Sequence, residues 1–268
     1  MDKQQLLSGR VSDLSRQCWN GDYLTHTNFL SASELADFFQ MAGHQHSPGL
    51  STFNGTPYVV YGGRSNFDRG IVFFLPSYMT ASQLISDEAS GQGEIQLVLA
   101  EPVNSKYADP LTHRDYLGAM MNLGIERNLI GDILVDSETG RACIFCTGEG
   151  SRVIAGELVQ VKHTTIKCRI IPPDQCDITE STRKITGTVA SLRLDSILTT
   201  VWNMSRGKAQ ALIQGEKVTV NGRLITSSSF EPGENDRISV RGFGKFVFLG
   251  VEGSTRKGRL KVIISLFI

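Results

Sequence analysis

A chain of 268 residues, 40% hydrophobic and 20% charged, has room for one large domain or two to three small ones and is too apolar to be disordered. No apolar run approaches the roughly 18 residues of a membrane span, and "MDKQQLLSGR" lacks a signal-peptide core, so a cytoplasmic protein with no membrane role is expected. The net charge of zero hides an asymmetry: residues 181–268 carry 14 Lys+Arg against 6 Asp+Glu, or +8, while the first 180 carry 13 against 21, or −8, and such a field turns one end toward a polyanion.

Residues 1–90 read as a small α/β unit. "SDLSRQCWNGDYL" and "SASELADFFQMAG" are predicted helices, the second with Ser33 as N-cap and Gly43 as stop, and "TPYVVYGG" and "GIVFFLP" are predicted strands. Gly62 and Gly63 before Arg64 lack the spacing of a phosphate-cradling loop and read as a tight turn. His44 and His46 have no partner pair for a metal, and His26 and His163 belong to no pattern.

Residues 91–175 alternate as a strand "EIQLVLAEPV", a helix "THRDYLGAMMNLGI", strands "IGDILV" and "RACIFCT", a helix "SRVIAGELVQV" and a strand "TTIKCRII". This βαββαβ order is that of ferredoxin-like domains, which RNA-recognition motifs share. Such motifs stack bases on exposed aromatics of the central strands, and here only Phe145 is offered, so the domain is expected to be RRM-like in fold without the usual stacking platform. The "HRD" at His113, Arg114 and Asp115 has none of the companions of a kinase site; Thr112 and Asp115 read instead as a helix cap. Five cysteines, an odd number, make no disulfide framework. Cys143 and Cys146 sit three apart in a strand, which sends them to opposite faces, and Cys168 and Cys176 do not complete a zinc knuckle, so no metal is expected.

"IIPPDQCDITESTRK" reads as a strand stop and linker, leaving a third domain at 182–268. Leu194, Ile197, Leu198 and Val201 mark one face of a helix; Ser205 is placed to cap a second, with Ala209, Leu212 and Ile213 on its core side and Gly215 as its stop. "KVTVNGRLI" alternates around Asn221-Gly222, the strongest short hairpin signal. Arg206 and Lys208 stand in the first turn of the second helix, where cations are disfavoured unless an anion visits. Arg237 with Arg241, and Arg259 with Lys261, fall opposite apolar neighbours in their strands.

"RLDSIL", "SRGKAQALIQGEKVTVNG" and "EPGENDRISVRGFGKF" together resemble the S-four-type RNA-binding domain, also called the alpha-L motif, over residues 183–248, with "EPGEND" where the family has PGD. "HRDYLGAMMNLGIERNLIGDILV" is similar to a second signature, that of the bacterial YlmH family of S-four-type proteins, and "GGRSNFDRGIVFFLP" matches it loosely. The resemblance implies a cytoplasmic, non-enzymatic protein of α+β fold with no cofactor. It would bind rRNA and tRNA on the large ribosomal subunit, in rescue of stalled translation or ribosome-associated quality control, some members being linked to cell division. It implies backbone contacts from Arg193 and Arg206 with Lys208, Lys217 and Arg223 around them; Ser205, Asn221, Arg237, Arg241 and Lys245 complete the candidate set. The acidic body is left for a protein partner. Two other readings compete: an RNA-modifying enzyme of pseudouridine-synthase or methyltransferase type, which lacks its catalytic or cofactor motif here, and a cell-division scaffold, which leaves the basic face unused.

Overall fold

The computed structural model describes residues 3–43 and 51–268, so His44 and His46 lie outside the described residues. The fold is mixed α+β, and the chain divides between Thr179 and Glu180 into two compact units.

The first unit opens with α1 (Lys3–Gly21), β1 (Thr25–His26), α2 (Ala32–Met41), β2 (Ser51–Phe53), β3 (Thr56–Tyr61), β4 (Ile71–Phe74) and α3 (Ala81–Ala89). The strands form an antiparallel sheet in the order β1-β4-β3-β2. Strands β2 and β3 are joined by Asn54-Gly55 at φ 50° and 84°, the left-handed pair that a type I′ hairpin needs. The cap of α2 is Ser31 and not Ser33. The Ser31 hydroxyl accepts the N–H of Glu34 at 3.3 Å, and the Glu34 carboxylate accepts the N–H of Ser31 at 2.7 Å. Both serines suit a cap, but only Ser31 has a carboxylate three residues on, which closes the reciprocal box.

The same unit continues with β5 (Ile95–Pro102), α4 (His113–Asn122), β6 (Ile130–Val135), β7 (Ala142–Thr147), α5 (Gly148–Glu157), β8 (Gln160–Val161) and β9 (Thr164–Ile171). Their sheet runs β6-β7-β5-β9-β8 with every pair antiparallel, which is the ferredoxin-like order with β8 added at one edge. Thr112 gives its N–H and hydroxyl to the Asp115 carboxylate at 2.8 and 2.6 Å, so "HRD" begins a helix. One sheet face packs Val98, Ala100, Ile144 and Cys146 against Tyr116 and Met120 of α4 and Ile154 of α5.

The other face is covered by the first sheet. Ile95, Leu97, Leu99, Cys143 and Phe145 share one core with Phe29, Val59, Ile71, Phe73 and Leu75. Strand β4 accordingly reads as an unbroken apolar run, with Ile71 and Phe73 facing this core and Val72 and Phe74 facing α1 and α2. Gly63, at φ 87°, lies so close over Phe145 that a Cβ there would come within 2.5 Å of the ring. Residues 1–90 and 91–175 are therefore bound by a common apolar layer.

The second unit comprises β10 (Thr182–Val189), α6 (Leu194–Trp202), α7 (Arg206–Gln214), β11 (Val218–Val220), β12 (Arg223–Leu224), β13 (Arg237–Val240), β14 (Gly244–Ser254) and β15 (Leu260–Phe267). Its sheet is antiparallel in the order β10-β15-β14-β13-β11-β12. Leu194, Ile197, Leu198, Val201, Ala209, Leu212 and Ile213 of the two helices bury against alternate residues of the strands, among them Val218, Val220, Ile238, Val240, Phe246, Phe248, Val262 and Ile264. Asn221 and Gly222 take φ 49° and 80°, so β11 and β12 meet in the hairpin that the sequence predicts. Gly215 caps α7, and the left-handed residue that turns the chain away is Glu216, at φ 56°.

Candidate nucleic-acid interface

The first turn of α6 holds a buried carboxylate. Asp195 is fully buried and receives Nε and Nη2 of Arg193 at 3.2 and 3.1 Å, Nε of Arg206 at 3.1 Å and Nε2 of Gln210 at 3.0 Å. Burial by itself would raise its pKa; the bonds from Arg193, Gln210 and Arg206 outweigh that and hold the carboxyl well below the usual range. Arg206 at the mouth of α7 thus meets an anion that the chain itself supplies. The loop between β12 and β13 closes over this end of α6, where the N–H groups of Leu194 and Asp195 donate to the carbonyls of Phe230 and Ser228.

Arg206 is still 60% exposed at its side chain, so one face of its guanidinium is open to solvent while Asp195 orients the other. Ser205 caps α7 by accepting the N–H of Lys208, and the Lys208 ammonium stands 5.1 Å from the centre of the Phe243 ring. Lys217, just past the C-terminal end of α7, Arg223 of the β11–β12 hairpin and Arg241 after β13 are exposed as well. The N–H of Arg241 donates to the carbonyl of Lys217, which brings these two positions together.

The remaining candidates are engaged within the fold. Asn221 donates to Asp236 at 2.7 Å and accepts the N–H of Arg237 at 2.9 Å, which fixes the hairpin against β13. Arg237 and Lys245 both pack on the Phe267 ring, at 5.4 and 4.5 Å, and Lys245 is paired with Glu180 at 2.6 Å. Sequence reasoning quoted the "RLD" motif without assigning its aspartate a role. The signal was present: an acid two residues after an arginine at the start of a helix, followed by an arginine at the next helix start.

In the first unit one polar constellation is internal. The Asp132 carboxylate accepts the N–H groups of Asp68 and Arg69 at 2.9 and 3.0 Å, and the Arg69 guanidinium donates to the carbonyls of Ile130, Phe29 and Arg127. Arg127 donates in turn to Ile130. Burial, with Arg69 beside it and Asp132 opposing, pushes the Arg127 guanidinium down to about 10, still charged at neutral pH. This knot stitches the loop after Gly63 to the start of β6. Phe145 is fully buried, and Cys143 and Cys146 are buried free thiols facing the two different cores. Among the described residues no three His, Cys, Asp or Glu side chains form a cluster that could hold a metal, and no helix is long and apolar enough to cross a membrane.

Two family models match. The model described as the putative RNA-binding domain in YlmH covers residues 92–175, and the S4 domain covers 192–238. The "Ribosome-associated protein quality control protein P2" of Bacillus subtilis (strain 168) is 30% identical over 205 residues, 75% of this chain and 74% of that protein. The chain belongs to the YlmH family. The two matched families are RNA-binding rather than enzymatic, and both match within elements described above: the YlmH domain on the β5-to-β9 sheet, the S4 domain on α6, α7 and the β11–β12 hairpin. A solved structure, "Cell division protein ylmH from Streptococcus pneumoniae", aligns over 64% of this chain and 93% of its own with 20% identity and a TM-score of 0.47.

Proposed function

We propose that this protein is a non-enzymatic, cytoplasmic RNA-binding factor that docks through its C-terminal domain on structured rRNA and tRNA of the large ribosomal subunit. Its place would be in ribosome-associated quality control, which the name of the Bacillus relative gives for that protein, or in the rescue of stalled translation. The observation that carries the reading is the Arg193–Asp195–Arg206 cluster inside an S4 match whose Lys208, Lys217 and Arg223 are exposed. Asp195 keeps Arg206 and the N-terminus of α7 in place before any RNA arrives. A docking phosphate then meets pre-positioned donors, and the binding free energy is not spent on ordering them. Such contacts fix position and carry little sequence information, which suits a partner recognised by the shape of folded RNA.

Co-sedimentation tests this. Arg193 and Arg206 balance a buried carboxylate, so removing them would confound folding with binding. The informative variant is Lys208→Gln, Lys217→Gln, Arg223→Gln, which touches exposed side chains alone. Wild-type protein is expected to travel with large subunits through a sucrose gradient at low salt. The triple variant, with an unchanged melting temperature, should remain near the top. A variant that sediments like wild type would remove these residues from the interface; wild-type protein at the top at both low and moderate salt would remove the ribosome from the reading.

A further inference from the structure

The S4 match ends at residue 238, yet the second unit continues through β14 and β15, whose hairpin carries its own charge. From Gly253 to Ile268 there is no Asp or Glu, and Arg256, Lys257, Arg259 and Lys261 fall within six residues. All four are exposed. None of them makes an ion pair among the described residues, whereas Arg193, Arg206 and Lys245 each lie against a carboxylate.

The tip is held in shape. The N–H of Thr255 donates to the carbonyl of Arg259 at 2.7 Å, the N–H of Arg259 to the Thr255 hydroxyl at 3.1 Å, and the N–H of Gly258 to the carbonyl of Thr255 at 2.9 Å, with Gly258 at φ 75°. Nη2 of Arg259 donates to the carbonyl of Thr188 on β10 at 2.7 Å, tying the tip to the neighbouring strand. Leu260 pairs with Val189, and Val189 precedes Arg193 by four residues. Four residues of chain span at most about 14 Å, so the tip and the Asp195 cluster lie at the same end of the unit.

We infer that the β14–β15 hairpin tip is a second RNA contact, separate from the S4 motif, that grips the phosphate backbone of the structured RNA docked on α6 and α7. The inference rests on the RNA-binding reading above. Unpaired cations on a rigid turn lose little solvation or rotamer freedom to a partner acid when phosphates approach, and each phosphate neutralised releases counterions. Between Thr255 and Arg259 the tip offers no apolar side chain that could enter a bilayer, which favours nucleic acid over an anionic membrane.

Filter binding of in vitro transcribed large-subunit rRNA, from about 50 to 200 mM salt, decides it. The variant Arg256→Gln, Lys257→Gln keeps the Arg259–Thr188 bond; it should weaken binding roughly tenfold at the low end and lower the salt slope by about 1 to 2. The exchange Arg256→Lys, Lys257→Arg should bind like wild type, and melting temperatures of all forms should agree. If the tip variant keeps the wild-type slope while Lys208→Gln, Arg223→Gln lowers it, the tip makes no contact and the RNA-binding reading stands. If the wild-type chain shows no salt-dependent binding, both fall. Tip-dependent binding to phosphatidylserine vesicles with unchanged RNA affinity would overturn the inference in favour of a membrane.

Discussion

In residues 92–175 the sheet face that a ferredoxin-like RNA binder would show to bases is lined by Leu97, Leu99 and Phe145 and covered by β3 and β4, and 8 Lys+Arg stand against 11 Asp+Glu. In residues 181–268 the covered sheet face lies under the chain's own α6 and α7, and 14 Lys+Arg stand against 6 Asp+Glu, several of the cations without acid partners among the described residues. Both regions match RNA-binding families. The difference teaches that a shared fold does not supply a shared surface: in the first region the site where stacking would occur has been turned into core, and in the second the charge remains in water. That sheet face of the middle region is thereby closed to bases.

The largest expected effect comes from Phe145→Ala. As a fully buried ring it should cost about 3–5 kcal/mol of stability in the first unit, read by denaturant unfolding, with RNA affinity unchanged where the variant is folded. A base-stacking role would give the reverse, a loss of about 1–3 kcal/mol in binding with little change in stability. Next is the acid response of the second unit. The folded pKa of Asp195 lies below its unfolded value, so the carboxylate's contribution is complete above the ordinary Asp value near 4 and is lost as pH falls through the folded value. Asp195→Asn should lower stability at neutral pH and flatten its decline from about pH 5 to 2. A decline as steep as wild type's would assign the acid sensitivity to other carboxylates. The smallest effect belongs to Lys245→Ala. Held by Glu180 and Phe267, this side chain should cost under about 1 kcal/mol on removal and lower the salt slope of RNA binding less than Arg223→Gln does. An equal or larger fall would place Lys245 among the RNA contacts.

Much of this fold was legible because each local rule agreed with its neighbours. The 3.6-residue spacing of Leu194, Ile197, Leu198 and Val201, the Ser205 cap and the Asn221-Gly222 turn all point to one helix-helix-hairpin arrangement, and the structure has it. Asn54-Gly55 carries the same hairpin signal between β2 and β3, but it is harder to read because β2 has only three residues, Ser51–Phe53, and little apolar pattern. Ser33 competed with Ser31 because both suit a cap; the carboxylate of Glu34 decides, and its spacing was there to be counted. The burial of Phe145 could not be read from its own strand, since alternation says that a side chain faces outward without saying what lies there. The pairing of Arg206 with Asp195 was hidden for a similar reason: eleven residues and a helix break separate them, and the packing of α7 on α6 brings them together.

The cover that the first sheet lays over Ile95, Leu97, Leu99, Cys143 and Phe145 also sets where the protein can be cut. The matched segment 92–175 is an evolutionary module, but not a portable one. Produced without the preceding residues it would open that apolar face to water and shed the knot at Asp132, whose carboxylate is held from Asp68 and Arg69. A soluble fragment for interaction mapping therefore begins ahead of α1 and runs to the end of the first unit, while the basic unit from Glu180 onward brings its own complete core.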